Sequence, residues 1–316
     1  MAIWKPLRWS LLAPLFAGVM VLTACQPEDD FRADSESAAG GASASGAAAQ
    51  PAQPGVSVSA VQSLAGEVDV ANPLEAYTVA VEQLASAREA TGANASEALQ
   101  HLANARSAYD KMFRESAEKL DSDTDSLISD AFRDAEKAAR TAKQNTVNAS
   151  GQRIGVYLLN VAYLNVEAAL TSGDGAGASQ WLAVLLEPEE GDGVSHLSSV
   201  VAEAAADPSK LDSARETVLD ELLSNFAGKV SEETLEALVA LEGGRSAVAT
   251  EEAAEGIAYY RIIQPDLRAK LGEQPDKELA DELETFLDYS KHGNLAKARE
   301  AAQEISTLLA TYQKAG

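Results

Sequence analysis

The chain has 316 residues, and its 49 acidic against 25 basic side chains give a net charge of −24. That balance argues against nucleic acid and anionic lipid as electrostatic partners; it leaves open a cationic ligand, a metal ion included, or solubility alone. One cysteine excludes an intrachain disulfide framework.

Lys5 and Arg8 precede an uncharged apolar run from Trp9 to Ala24, which closes in Leu22-Thr23-Ala24-Cys25. The run is shorter than the roughly 20 residues of a membrane span. The order of base, apolar run, small residues and cysteine resembles a bacterial lipoprotein precursor. The resemblance implies that residues 1–24 are a signal peptide that is cut away, that the Cys25 thiol carries diacylglycerol, and that the new amino terminus is acylated. The protein would then be held at a membrane without crossing it. Gln26, where inner-membrane lipoproteins of this pattern carry Asp, implies the outer membrane. Loss of Lys5 and Arg8 with the leader leaves 49 acids against 23 bases, a net charge of −26.

Residues 25–57 are dominated by Ala, Gly, Ser, Pro and Gln. Such a segment buries too little apolar surface to offset the entropy of ordering, so it reads as a lipidated flexible tether. The remaining chain is long enough for one large or two small domains. We divide it into an N-terminal helical half, 58–172, and a C-terminal helical half, 173–316.

Asn72 and Pro73 open a helix to Ala90 with Leu74, Tyr77, Val81 and Leu84 inward. A second helix is expected from Ser96 to Leu120, with Leu99, Leu102, Tyr109 and Phe113 on one stripe. Asp123–Gln144 and a more apolar, central helix at Ser150–Leu170 follow. Gly173 to Gly177 breaks the chain. Further helices are expected at Ala178–Leu186, Val194–Ala206, Ser209–Phe226, Ser231–Leu241, Glu251–Leu271, Lys277–Lys291 and Leu295–Gln313. No run alternates with period two, so the fold class is all-α, a helical bundle. Ala108-Tyr109 followed by Lys111 is echoed by Ala258-Tyr259 followed by Arg261, and each stretch leads to an acidic turn and another helix. The echo suggests two similar helical halves.

From Ala93 to Tyr312 the order of features resembles the extracytoplasmic N-terminal region of bacterial ferric iron permeases. The carriers are Ala105-Arg106 with Tyr109, Arg153 in the apolar helix, Gly173-Asp174, Trp181-Leu182, the acidic run Glu251 to Gly256, Tyr259 to Ile263, and Gly293 with Ala298-Arg299. The Arg-Glu-Gly-Leu-Glu motif of those permeases, and their membrane helices, are missing from the sequence. The resemblance therefore implies an accessory or binding component of iron uptake, not a transporter.

On a helix Glu252, Glu255 and Tyr259 share a face at i, i+3 and i+7. Their oxygens suit ferric iron, calcium or manganese. Tyr109, Tyr163 and Glu167 are the partners expected from the other half, Tyr163 and Glu167 being one turn apart. The alternative is that Glu251, Glu252 and Glu255 only complement the helix N-terminus and Tyr259 packs. His101, His196 and His292 show no metal-ligand spacing, although His101 lies near enough to Tyr109 to join a site. No Gly-x-Ser-x-Gly, phosphate-loop or His-Glu-x-x-His motif occurs, so no enzyme is expected. Two function classes remain. One is a lipid-anchored, metal-binding or accessory component of iron uptake. The other is a structural or docking subunit of the bacterial envelope with no small ligand.

Overall fold

A computed structural model describes residues 68–186 and 195–315. The expected leader, Cys25, the tether and the Gly191-Asp192-Gly193 turn lie outside the described residues. Eleven α-helices and no strand occur among the described residues: α1 (Pro73–Ala90), α2 (Ala95–Met112), α3 (Arg114–Leu120), α4 (Ser122–Arg140), α5 (Gln144–Ser172), α6 (Gly175–Leu186), α7 (Ser195–Ala206), α8 (Leu211–Glu242), α9 (Ser246–Leu271), α10 (Glu273–Lys291) and α11 (Leu295–Ala315). The protein is an all-α helical bundle.

Local signals set most of these boundaries. The Asn72 side chain accepts the Glu75 N–H at 2.9 Å, with Pro73 in the first turn. For α2 the cap is Asn94, which accepts the Glu97 N–H at 3.2 Å, two residues before the expected start at Ser96. The expected helix 96–120 is broken at Phe113, whose fully buried ring meets Trp181 edge-on at 5.3 Å. The expected helices 209–226 and 231–241 form one continuous helix, the 32-residue α8. Gly228 does not break it, because the glycine is exposed and its neighbours on either side are anchored in the core.

The helices pack as two rings. In the first, α1 lies on α2, α2 on α4, α4 on α5, and α5 closes back on α1; in the second, α8 lies on α9, α9 on α10, α10 on α11, and α11 closes on α8. The rings meet where α5 packs on α8 and α9, while α6 and α7 bridge α5 to α8. Gly175 is required at that bridge: a Cβ there would stand 2.4 Å from the Ala205 Cβ. By length and composition α5 could cross a membrane, but 67% of its apolar window is buried among the other helices, as in a core helix.

The echo in the sequence has a structural counterpart, shifted by one residue. The Tyr109 hydroxyl donates to Asp125 and the Tyr260 hydroxyl donates to Asp276, each across sixteen residues. Tyr260, not Tyr259, is thus the partner of Tyr109. An arginine joins each pair, Arg114 at 3.6 Å from Asp125 and Arg268 Nε at 2.8 Å from Asp276. Core residues follow each aspartate at +3 and +7, Ile128 and Phe132 in one ring and Leu279 and Leu283 in the other. Seventeen residues beyond each aspartate, a residue with positive φ ends the helix: Ala142 at 56° and Gly293 at 65°. Both turns close through the same type of bond, Lys143 N–H to Ala138 O and Asn294 N–H to Tyr289 O.

Candidate metal centre between α8 and α9

α8 packs along α9, and a glycine lets the backbones approach. A Cβ at Gly256 would lie 3.4 Å from the Glu233 Cβ. The sequence reads Glu232-Glu233-Thr234-Leu235-Glu236 on α8 and Glu251-Glu252-Ala253-Ala254-Glu255 on α9. These two Glu-Glu-x-x-Glu runs face each other. One carboxylate oxygen each from Glu233, Glu236 and Glu252 lies within 4.8 Å of the others.

Burial opposes ionisation of several of these carboxyl groups. Burial and the charges of Glu255 and Glu252 push the Glu233 carboxyl far above the usual carboxylate range. Burial also raises Glu252, although the facing Glu233 partly counters this; Glu233 is therefore the member that keeps a proton. Glu255 is 8% exposed. Burial, then the Glu252 charge, raises its pKa to about 8, against the pull of Lys229. The Lys229 ammonium is itself buried and pairs with Glu232 at 3.0 Å. Glu251 stands to one side, accepting from the Asn148 side chain of α5 at 2.7 Å. α9 begins at Ser246, so Glu251, Glu252 and Glu255 sit beyond its first turn, where the helix dipole acts weakly.

Of the residues expected to form one site, Glu252, Glu255 and Tyr259 lie together. The Tyr259 ring is buried and stacks on Phe226 at 6.2 Å; burial and the nearby Glu255 and Glu233 hold its phenol well above its ordinary value. Tyr163 meets the same Phe226 ring edge-on at 6.1 Å. Tyr163 and Glu167 line a separate open groove of about 700 Å³ between α5, α8 and α9, with Asp220, Asp266, Arg215 and Arg261. Tyr109 belongs to the first ring, bonded to Asp125 on α4, and α2 does not pack on α8 or α9. The histidines are placed elsewhere: His101 meets Gln83 at 2.9 Å, His196 meets Glu221, and His292 caps the end of α10 through the Asp288 carbonyl.

Sequence reasoning missed Glu233, Glu236 and Lys229. The expected helices Ser209–Phe226 and Ser231–Leu241 left Lys229 in the gap between them and Glu233 and Glu236 in the first turns of the second. The repeated Glu-Glu-x-x-Glu spacing was the signal that could have found them.

Hard oxygen donors at this density suit a hard cation. An incoming ion would relieve the repulsion between the carboxylates and displace the proton on Glu233. Fit and cost are thus two aspects of the same packing. A family model, the Iron permease FTR1 N-terminal domain, matches residues 71–308. No curated protein and no solved structure matches the chain.

Proposed function

The chain belongs to the family of the Iron permease FTR1 N-terminal domain, and from that membership we propose that it is a lipid-anchored, iron-binding accessory of iron uptake. The single observation that supports binding is the convergent carboxylate set of Glu233, Glu236 and Glu252, with Glu233 buried and the buried Glu255 beside it. Burial raises the proton affinity of Glu233, Glu252 and Glu255 where they stand, an arrangement that is costly in a core with only a structural role. Glu233 and Glu252 are the expected primary ligands, with Glu236 and Glu255 completing the oxygen set and Tyr259 closing its inner wall. The lipobox at Cys25 supports anchoring at the bacterial envelope, and Gln26 supports the outer membrane.

Two measurements test this reading. Iron supplied as ferric citrate, and calcium, are titrated into the mature chain by calorimetry. We expect saturable binding that falls at least tenfold in Glu233→Gln/Glu252→Gln; absence of saturable binding in the wild type would overturn the metal reading. Binding at pH 7 should also release a proton, seen as a heat that changes with buffer ionisation enthalpy. For the anchor, Cys25→Ser should leave the protein outside the detergent-extracted membrane fraction and free of lipid by mass spectrometry.

One observation favours the docking reading instead. Leu235 and Val239, one turn apart on α8, are 61% and 53% exposed. If the docking role is the main one, Leu235→Ser/Val239→Ser abolishes copurification with an envelope partner while Glu233→Gln/Glu252→Gln does not.

A further inference from the structure

A second concave site lies apart from the glutamates: the open groove of about 700 Å³ between α5, α8 and α9. One side of it is a row on α8, where Asp212, Glu216 and Asp220 recur every four residues. That spacing stacks them on one helix face at intervals of about 6 Å along the axis. Glu167 of α5, Asp266 of α9 and Asp121 complete the acidic lining. The bases within reach are Arg215 and Arg261 in the lining, and Lys270, which pairs with Asp220 at 3.3 Å and Asp266 at 3.1 Å. Six acids against three bases leave the groove negative. Leu164, Leu219 and Ile262 line it as well, so acidic and apolar surfaces occur together.

The groove also holds a buried polar group without a partner. Tyr163 is 7% exposed, and it lines the groove. Tyr109, Tyr260 and Tyr312 each donate their hydroxyl to an aspartate. Tyr163 donates to no described residue; burial and the charges of Glu167, Asp266 and Asp220 act on its phenol instead and keep it protonated. Its oxygen is not among the unpaired atoms sealed from solvent, so it opens on the groove. A hydroxyl buried this far is costly without a partner. Pro265 adds a second open position. It stands inside α9 and has no N–H for the Arg261 carbonyl one turn back, and both residues line the groove. Carboxylates, a phenol oxygen and a backbone carbonyl are all acceptors, and together they call for a donor that carries positive charge.

We propose that this groove binds a linear polyamine, with its ammonium groups on the α8 acids and Glu167, its N–H groups donating to the Tyr163 hydroxyl and the Arg261 carbonyl, and its methylenes on Leu164, Leu219 and Ile262. The spread of the acids selects the shape of the cation. Among the described residues, the carboxylates that converge closely enough for a metal ion are Glu233, Glu236 and Glu252, none of them in the groove. Acids strung along two turns of α8 match charges held apart by short methylene runs, and a hydrated metal ion would leave the apolar lining unused. Arg215, Arg261 and Lys270 set the charge: they leave an excess of three acids, and spermidine carries three positive charges at pH 7. The glutamate site plays no part in this proposal.

The test is calorimetric titration of spermidine into the mature chain at about 0.15 M salt, where diffuse attraction between exposed charges is screened. We expect saturable binding at one site, with 1,4-diaminobutane about tenfold weaker for its missing charge. Asp212→Asn/Glu216→Gln should weaken spermidine about tenfold and Tyr163→Phe about fivefold. Tyr163→Phe should leave the melting temperature of the free protein unlowered, because the hydroxyl has no protein acceptor to lose. Glu233→Gln/Glu252→Gln should leave spermidine binding unchanged, which keeps this result separate from the iron titrations. Absence of saturable binding overturns the proposal. So does a wild-type affinity retained by Asp212→Asn/Glu216→Gln, or displacement of spermidine by magnesium at matched charge, since either outcome means a diffuse cation atmosphere only. Saturable citrate binding that is lost in Arg215→Gln/Arg261→Gln would overturn it in favour of an anion. If Asp212→Asn/Glu216→Gln does not fold, Glu167→Gln on the exposed side of α5 is read in the same way.

Discussion

The α1–α2 and α8–α9 interfaces share a geometry and differ in charge. Both are adjacent antiparallel helices in a four-helix ring, both turn through a left-handed glycine, and both lead to a tyrosine bonded to an aspartate sixteen residues on. The first fills its polar positions with Gln83, His101 and Asn104, which bond to one another; the second fills them with glutamates whose ionisation burial opposes. The difference separates two demands on a bundle. The α1–α2 interface lets its half-buried Gln83, His101 and Asn104 bond to one another. The other holds groups that only a proton or a cation satisfies.

The largest expected effect concerns the feature that the rings have in common. Asp276 is buried and accepts from Tyr260 and Arg268, whereas Asp125 is more open and pairs with Tyr109 and Arg114. Asp276→Ala should cost about 2–3 kcal/mol, because it removes a buried carboxylate that accepts from both Tyr260 and Arg268 and leaves the Tyr260 hydroxyl only the residue-276 carbonyl, and Asp125→Ala about 1–2 kcal/mol. Urea unfolding followed by circular dichroism measures both. Equal costs would mean that the two nodes are not as differently buried as the structure has them.

Next in size is a gain. Glu233→Gln keeps the shape and removes the need to protonate a carboxyl on folding. It should stabilise the metal-free protein by about 1–3 kcal/mol at pH 8, while Gln83→Glu in the first ring should destabilise by a similar amount. The pH dependence follows with a fixed sign. A carboxyl whose folded pKa is raised binds more protons in the folded state than in the unfolded one. Its destabilising effect is absent below the unfolded value near 4.5, grows as pH rises, and is complete above the folded value, about 8 for Glu255. The metal-free wild type should therefore lose stability between pH 5 and pH 8. Glu233→Gln/Glu252→Gln/Glu255→Gln should flatten that slope, and thermal melts across the range would expose a flat wild-type profile if these groups are not the cause.

The sequence made some of this legible. Asn72, Pro73 and the apolar spacing placed α1 to the residue, and Glu252, Glu255 and Tyr259 were recognisable as one face because helical periodicity is local. Three things were not local. Phe113 interrupts a good helical pattern because its ring is drawn against Trp181, sixty-eight residues away. Gly228 reads as a break by propensity, costing about 1 kcal/mol relative to Ala, yet the packing of Phe226, Ala227 and Val230 carries α8 through it. Glu233 joins Glu252 only because α8 is continuous and folds back on α9, and no periodicity within either helix reports that. The same limit applies to Tyr109 and Tyr163: their types suited a site, but the helices that carry them lead to Asp125 and to the groove beside Glu167.

The smallest expected effect sharpens the comparison at the helix starts. In the first ring Asn94 caps α2, accepting the Glu97 N–H. In the second ring Arg245 occupies the capping position of α9 and makes no capping bond with its side chain. Its charge instead lowers the Glu252 pKa, after burial and the Glu233 contact have acted. Asn94→Ala should therefore cost about 1 kcal/mol through the unsatisfied amide. Arg245→Ala has no such bond to lose, and its stability should stay within about 0.5 kcal/mol of the wild type. Its effect should be on the site: without the guanidinium, Glu252 holds its proton to higher pH, and the pH at which iron binding becomes half-maximal should move upward. Asn94→Ala should leave that midpoint where it is. If Arg245→Ala costs as much stability as Asn94→Ala and leaves the midpoint unmoved, Arg245 is an ordinary cap and the two helix starts do not differ in the way argued.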